Sequence, residues 1–251
     1  MSGFPAHGTR RLKGVAVMAA VVFDEHAEKY DAWFVKNSNV LGSEVLLLKR
    51  FLHGGGRILS VGCGSGLFES LLRRDHGIII THGVEPSKAM AAIARARGMD
   101  VRDGTAERVP FEDASFDTVL LNGIPAYLDG LDAAFREARR VLVPGGSVVI
   151  GDVPASSSYG LLYRMAAIVG TWDDPFLRRV APDDPYPVEF LRAANWRTTR
   201  ELADALTAAG FGELEYAQTL TTHARFSNAR VEEPVDGFER GGYVAVRARK
   251  R

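Results

Sequence analysis

The chain has 251 residues, which is enough for one large domain that buries a sizeable core. It carries 31 basic and 31 acidic residues, so no overall field favours nucleic acid or an anionic membrane surface. The single cysteine, Cys63, excludes an internal disulfide framework and a multi-cysteine metal site. We therefore predict neither a bound metal nor a nucleic-acid partner.

The first 22 residues are predicted to form a flexible leader. Arg10, Arg11 and Lys13 precede an apolar run at residues 14–23, a pattern that superficially mimics a signal peptide. That run is only about ten residues long and lacks a clean small-residue cleavage site, whereas a membrane span needs about 18 residues. We expect a cytoplasmic protein with no membrane span, whose main domain covers residues 23–251.

Residues 23–52 are predicted to be helical, in two pieces. Tyr30, Trp33 and Phe34 have the i, i+3, i+4 spacing that places three aromatic rings on one helix face. The glycines of residues 53–56 then end the second piece. The sequence therefore predicts an α-helical N-terminal extension in front of the sheet described next.

Predicted strands and helices alternate from residue 57 onwards. The expected strands are residues 57–61, 78–84, 99–101, 116–121, 147–152, 213–219 and 242–248. The helices expected between the first five strands are residues 67–75, 87–97 and 129–142. Because such alternation implies parallel pairing with right-handed crossovers, we predict an α/β fold with a doubly wound, mostly parallel seven-stranded sheet.

The alternation stops after Asp152. Residues 153–196 are rich in Pro, Tyr, Trp and Asp, and we predict that they form a lid and a substrate pocket over the carboxyl edge of the sheet. Their composition suits an apolar or aromatic small molecule and offers no base-stacking channel. The alternative is that they simply cover the sheet. Regular structure returns at Thr198, which forms a predicted capping box with Glu201.

The most informative segment is Gly62-Cys63-Gly64-Ser65-Gly66, where a predicted strand ends in alternate glycines and a helix follows. Glycine adopts positive φ and has no Cβ, so a ligand can lie against the backbone. The free N–H groups of the helix face the same point. Two further segments reach this edge of the sheet, namely Glu85 and residues 103–107. A carboxylate such as Glu85 can accept hydrogen bonds from two ribose hydroxyls, so we predict a nucleotide-type site.

These motifs resemble the class I S-adenosylmethionine (SAM)-dependent methyltransferases, in the small-molecule branch that includes the ubiquinone/menaquinone-type enzymes. The matching segments, in chain order, are residues 61–66, 83–87, 104–111, 115–119 and 140–146. Residues 23–34 also look like this branch. The resemblance implies a Rossmann-like sheet, SAM as cofactor, S-adenosylhomocysteine as product, and methyl transfer to a small-molecule acceptor.

The resemblance also implies which residues bind the cofactor. The set is Gly62, Cys63, Gly64, Gly66, Glu85, Pro86, Thr105, Ala106, Glu107, Asn122 and Tyr30. In this set the glycines would admit the methionine part of SAM, and Glu85 would accept hydrogen bonds from the ribose. Thr105 and Ala106 would border the adenine. Asn122 would lie beside the sulfonium, and Tyr30 would close over the SAM carboxylate.

Ser60 departs from the family pattern, which has Asp or Glu at this position. A neutral hydrogen bond is about half as strong as a charge-assisted one. Two alternatives stay open, a SAM-binding regulatory protein without catalysis and a nicotinamide-dependent oxidoreductase. The second fits less well because Leu67 stands where a dehydrogenase fingerprint has glycine. The candidates for a general base, none singled out by its spacing, are Asp152, Tyr159, Tyr163 and Glu189.

Overall fold

The computed structural model describes residues 14–251. Within this range the helices are α1 (Val15–Glu25), α2 (Ala27–Lys36), α3 (Ser38–Leu52), α4 (Leu67–His76), α5 (Lys88–Ala96), α6 (Leu131–Val141), α7 (Ser158–Val169), α8 (Leu177–Val180), α9 (Val188–Arg192) and α10 (Thr199–Ala208). The strands are β1 (Ile58–Val61), β2 (His82–Val84), β3 (Asp100–Arg102), β4 (Phe116–Asn122), β5 (Leu142–Asp152), β6 (Phe211–Thr219), β7 (Val235–Asp236) and β8 (Tyr243–Lys250).

All of these strands belong to one sheet with the order β3-β2-β1-β4-β5-β8-β6-β7. Strands β1 to β5 pair in parallel, as the strand–helix alternation predicts. Strand β8 is antiparallel to both of its neighbours, β5 and β6. The doubly wound, Rossmann-like prediction is confirmed, and the sheet gains one strand beyond the predicted seven, the two-residue β7.

A hydrophobic core lies on each face of the sheet. One core packs helices α3 and α4 against the strands and includes Leu47, Leu48 and Leu72, which are fully buried. The other core packs α6 and α10 against the opposite face and includes Phe135 and Leu206. The predicted capping box at the start of α10 is present, since Thr198 and Glu201 bond each other's backbone N–H groups. The two layers hold the carboxyl ends of β1, β2, β4 and β5 along one edge.

The predicted flexible leader needs a correction. Residues 1–13 lie outside the described residues, and helix α1 occupies most of the remainder of residues 1–22. Helix α1 contacts α5, and Asp24 Oδ1 accepts hydrogen bonds from Ser87 Oγ and Ala89 N, both at 2.9 Å. The apolar run that mimics a signal peptide is therefore a packed helix, because it has an apolar cavity to cover.

Among residues 14–251, no helix combines the length and the apolar character that a membrane crossing requires. The same residues contain no cluster of His, Cys, Asp or Glu side chains suited to holding a metal ion.

Candidate functional site

A cavity of about 650 Å³ lies at the carboxyl ends of β1, β2, β4 and β5. Its volume falls within the range of about 300–1,000 Å³ that is usual for small-molecule sites. Nine of the eleven predicted cofactor residues line it, namely Tyr30, Gly62, Gly64, Glu85, Pro86, Thr105, Ala106, Glu107 and Asn122. The structure thus brings segments from four separate strand ends to one cavity.

The glycine loop presents bare backbone to this cavity. Gly64 has φ +55°, and a Cβ built there would meet no atom within 4 Å. At Gly62, with φ +67°, an added Cβ would lie 2.4 Å from Ile124 Cγ2. Gly62 N also donates a hydrogen bond of 2.7 Å to Val84 O, which joins the loop to β2. Gly62 is therefore required by packing, whereas Gly64 leaves space that a ligand can fill.

Glu85 follows β2 and is 6% exposed. Its Oε2 accepts a hydrogen bond from Gly64 N at 2.8 Å, and its Oε1 accepts one from Ser87 N at 2.9 Å. Burial raises the pKa of Glu85 to about 7, although these two hydrogen bonds act in the opposite direction. Each carboxylate oxygen can accept a further hydrogen bond. An ionised Glu85 can therefore take two hydroxyl donors such as those of a ribose.

Asn122 and Tyr30 also line the cavity. Asn122 Oδ1 accepts a hydrogen bond of 2.8 Å from Tyr243 Oη, so β8 helps to orient this side chain. Tyr30 makes edge contacts with Phe23 and Phe34, at ring-centroid distances of 5.8 and 5.0 Å. The aromatic stripe predicted on this helix is therefore both a packing surface and a cavity wall.

Cys63 and Gly66, also predicted to bind the cofactor, do not line the cavity. Cys63 Sγ fills the space beside Gly83, where an added Cβ would lie 2.7 Å from it, and burial raises the pKa of the thiol. A Cβ at Gly66 would lie 2.8 Å from Met99 Sδ. Both residues pack behind the loop and allow α4 to approach α5 and the sheet.

The acidic group that Ser60 lacks is supplied by the next helix. Ser60 Oγ donates a hydrogen bond of 2.6 Å to Glu69 Oε1, and both side chains are buried. Burial raises the pKa of Glu69, although the Ser60 hydrogen bond partly opposes this. Glu69 does not line the cavity, so the pair supports the glycine loop from behind.

A second set of residues that line the same cavity is mostly aromatic. We define the aromatic compartment as the cavity walls formed by Trp33, Glu44, Asp152, Tyr163, Tyr186, Trp196 and Tyr243. Of the four base candidates, Asp152 and Tyr163 line the cavity. Tyr159 does not line it, and Glu189 pairs with Lys29 instead. The insertion at residues 153–196 thus contributes cavity walls, as its composition suggests.

Sequence reasoning missed two parts of this cavity. One is Glu44, whose signal is an acidic residue on the apolar face of α3, between Leu41 and Leu48. The other is helix α1, whose apolar side lines the cavity with Ala16, Val17, Ala19, Ala20 and Val21. The apolar run was visible in the sequence, but its spacing does not say which surface it covers.

Known proteins match this chain over most of its length. A model for the methyltransferase domain matches residues 59–150. A solved structure from Thermotoga maritima is described as a SAM-dependent methyltransferase, possible histamine N-methyltransferase. It is 31% identical, with a TM-score of 0.79, and the match covers 93% of this chain and 100% of that one.

Two of the relatives that match by sequence illustrate the range. An uncharacterised protein of Methanocaldococcus jannaschii is 31% identical over 91% of this chain and 98% of its own length. A ubiquinone/menaquinone biosynthesis C-methyltransferase of Desulfotalea psychrophila is 25% identical over 65% of this chain and 68% of its own length. The open glycine loop and the buried Glu85 are compatible with the SAM dependence stated for the Thermotoga maritima protein. The chain belongs to the family of SAM-dependent methyltransferases.

Proposed function

We propose that this protein transfers the methyl group of SAM to a small, apolar or aromatic acceptor held in the aromatic compartment. The observation that carries the proposal is that the glycine loop with Glu85 and the aromatic compartment share one cavity. A protein that only senses SAM needs the first half of this cavity and has no use for the second. The second half therefore favours catalysis over a purely regulatory role.

The cofactor, when bound, supplies a methyl group already activated by its sulfonium charge. The bare backbone at Gly64 admits the methionine part, and the ionised Glu85 carboxylate accepts the ribose hydroxyls. Thr105 and Ala106 would border the adenine, and Pro86 and Glu107 line the same cavity. These contacts fix the donor's position, and orientation of this kind can contribute about 7–11 kcal/mol to lowering a barrier.

Asn122 and Tyr30 extend these contacts towards the reacting end of the cavity. Asn122 accepts a hydrogen bond from Tyr243, so it links the cofactor residues to the aromatic compartment. Helix α1 and the aromatic walls give the cavity a mostly apolar lining, which would keep water away from the bound reactants. Exclusion of water strengthens electrostatic contacts within the site. In this proposal the protein aligns the methyl donor with the acceptor and limits the access of water to them.

The names of the relatives do not identify the methyl acceptor. One relative is named as a C-methyltransferase of quinone biosynthesis, and another is described as a possible N-methyltransferase. A cytoplasmic location also stays a prediction.

Titration calorimetry with SAM, S-adenosylhomocysteine and NADH tests the cofactor assignment. We expect the first two to bind and NADH not to bind. Glu85→Ala should lose SAM affinity while keeping its circular dichroism spectrum, and Glu112→Ala, in an exposed loop, serves as the matched control. Unchanged affinity in Glu85→Ala would refute the ribose assignment. A methyl-transfer screen against amines, phenols, quinols and carboxylates then tests catalysis.

A further inference from the structure

Glu44 is a buried carboxyl group that the assigned cofactor contacts do not use. It lies on the inward face of α3, is 6% exposed and lines the cavity. Its carboxyl group makes no hydrogen bond or ion pair with any residue in the described range 14–251. A buried carboxylate without a partner costs several kcal/mol on the order-of-magnitude scale for such groups. Buried ionisable groups with shifted pKa values concentrate at functional sites, so Glu44 is a candidate ligand contact.

Several aromatic side chains lie near Glu44. A negative charge on Glu44 contributes to raising the pKa values of four tyrosines, which come from α2, α7 and β8. They are Tyr30, Tyr159, Tyr163 and Tyr243. Trp33 and Tyr186 complete the wall, and their rings pack edge-on at 4.8 Å. Faces of aromatic rings attract cations, most strongly where water is excluded.

A second carboxyl group in the compartment also has a free oxygen. Asp152 Oδ1 accepts a hydrogen bond from Val153 N at 2.9 Å. Its Oδ2 is buried and has no hydrogen-bond partner among the described residues. Burial raises the pKa of Asp152 to about 7, and the nearby Arg197 guanidinium lowers it in part. The compartment thus holds two incompletely partnered carboxyl groups.

The cavity contains little positive charge to balance these groups. Its charged residues in the described range are Asp24, Glu25, Glu44, Glu85, Lys88, Glu107 and Asp152. The one cation, Lys88, begins α5 beside the cofactor half and is exposed. Within the described range Lys88 is therefore the one lining cation that an anionic acceptor, such as a carboxylate or a phosphate ester, could pair with, and it lies outside the aromatic compartment.

We propose that the acceptor is a small primary or secondary amine, bound as its ammonium form with Glu44 as counter-ion and the aromatic compartment as its cage. This inference rests on the proposed methyltransferase function and names its acceptor class. Burial raises the pKa of Glu44 to about 8, which makes its carboxylate a stronger base than that of an ordinary glutamate. Glu44 therefore both attracts the cation and can accept its proton.

The chemical step balances with the groups named. The ammonium gives one proton to a Glu44 carboxylate oxygen and becomes a neutral amine with a free lone pair. The lone pair forms the new N–C bond as the S–C bond of the donor breaks, and that electron pair stays on sulfur. The products are an N-methylammonium ion and neutral S-adenosylhomocysteine, with the proton on Glu44 returning to solvent.

Three probes of similar shape and different charge test this assignment without catalysis. Phenethylamine, phenethyl alcohol and phenylpropionate are titrated into protein saturated with S-adenosylhomocysteine. We expect the amine to bind at least about tenfold more tightly than the alcohol, and the anion not to bind, since a desolvated ion pair and cation–π contact favour the cation. Equal or tighter binding of the alcohol or the anion would overturn the proposal.

Glu44→Gln keeps the shape of the side chain and removes its charge. We expect this variant to lose the preference for the amine while keeping its affinity for S-adenosylhomocysteine, which also verifies that it folds. Glu28→Gln, an equal change at an exposed position on α2, should behave as wild type. An amine preference that survives in Glu44→Gln refutes the role of Glu44.

The affinity for the amine should also rise with pH in the wild type. Between pH 6.5 and 8 the ionised fraction of a group with a pKa of about 8 grows about fifteenfold. Phenethylamine stays protonated over this interval, so its binding should strengthen by about tenfold. The rise should be strongly reduced in Glu44→Gln. A protein that fails to bind S-adenosylhomocysteine would instead contradict the proposed function itself, so the two failures are distinguishable.

Discussion

Replacing Gly64 by alanine separates the requirements of the fold from those of the ligand. A Cβ at this position meets no protein atom within 4 Å, so the substitution causes no steric overlap in the protein alone. It does place a methyl group in the cavity at the point where the backbone faces the ligand. Gly77, at the end of α4, has φ +69° and an equally open Cβ position but lies away from the cavity.

The expected cost to stability is the same for both variants. An alanine held at positive φ costs about 1–2 kcal/mol relative to glycine. For a domain of this size, about 1 kcal/mol lowers the melting temperature by about 2–4 °C. Gly64→Ala and Gly77→Ala should therefore melt a few degrees below the wild type, with no loss of cooperativity.

SAM binding should separate the two variants. Calorimetry should show Gly77→Ala binding SAM as the wild type does, because its methyl group lies outside the cavity. Gly64→Ala should lose most of its affinity, since the added methyl occupies space against which the cofactor packs. If Gly64→Ala binds SAM with wild-type affinity, the backbone at this loop does not contact the cofactor and our reading of the loop is wrong.

Three further predictions use other contacts. SAM affinity should rise about tenfold between pH 6 and 8, because the ribose hydroxyls bind the ionised Glu85, whose pKa is about 7; titrations of Glu85→Gln should be nearly flat over this interval. Asp24→Ala removes the acceptor that ties α1 to Ser87 and Ala89, so amide hydrogen exchange should speed up in α1 while that of β4 stays unchanged. Equal protection of α1 in both proteins would count against this attachment. Phe135→Ala, at a fully buried position, should cost about 3–5 kcal/mol in denaturant unfolding, and a loss below 1 kcal/mol would contradict the packing described.

Local sequence signals predicted the parallel half of the sheet well. The alternation of strands and helices from residue 57 to Asp152 gives a parallel sheet because each crossover follows from chain connectivity. Glu85 and Gly64 were identifiable because their roles depend on backbone conformation and on the end of a strand. Thr198 and Glu201 were identifiable because a capping box is a local contact.

Contacts that depend on the tertiary arrangement could not be predicted from local sequence patterns. Glu44 faces the cavity only because α3 packs against β5, β6 and β8, and these strands are distant in sequence. The two-residue β7 depends on pairing with β6 and is too short to show an alternation of apolar and polar residues. Glu69 replaces the acidic group absent at Ser60 through a contact between a strand and the following helix. Each of these features belongs to the tertiary arrangement.

The central position of β8 has a consequence for how the protein folds. Ser147 pairs with Arg249, so the last strand joins residues about a hundred positions apart, and it must enter between β5 and β6. Pairings between distant segments form slowly, because the chain loses the entropy of closing a long loop before the stabilising contacts form. We therefore expect β1 to β5 to assemble early and β8 to enter late. Since Tyr243 begins this strand and lines the cavity, the ability to bind ligand would arise only in the final stage of folding.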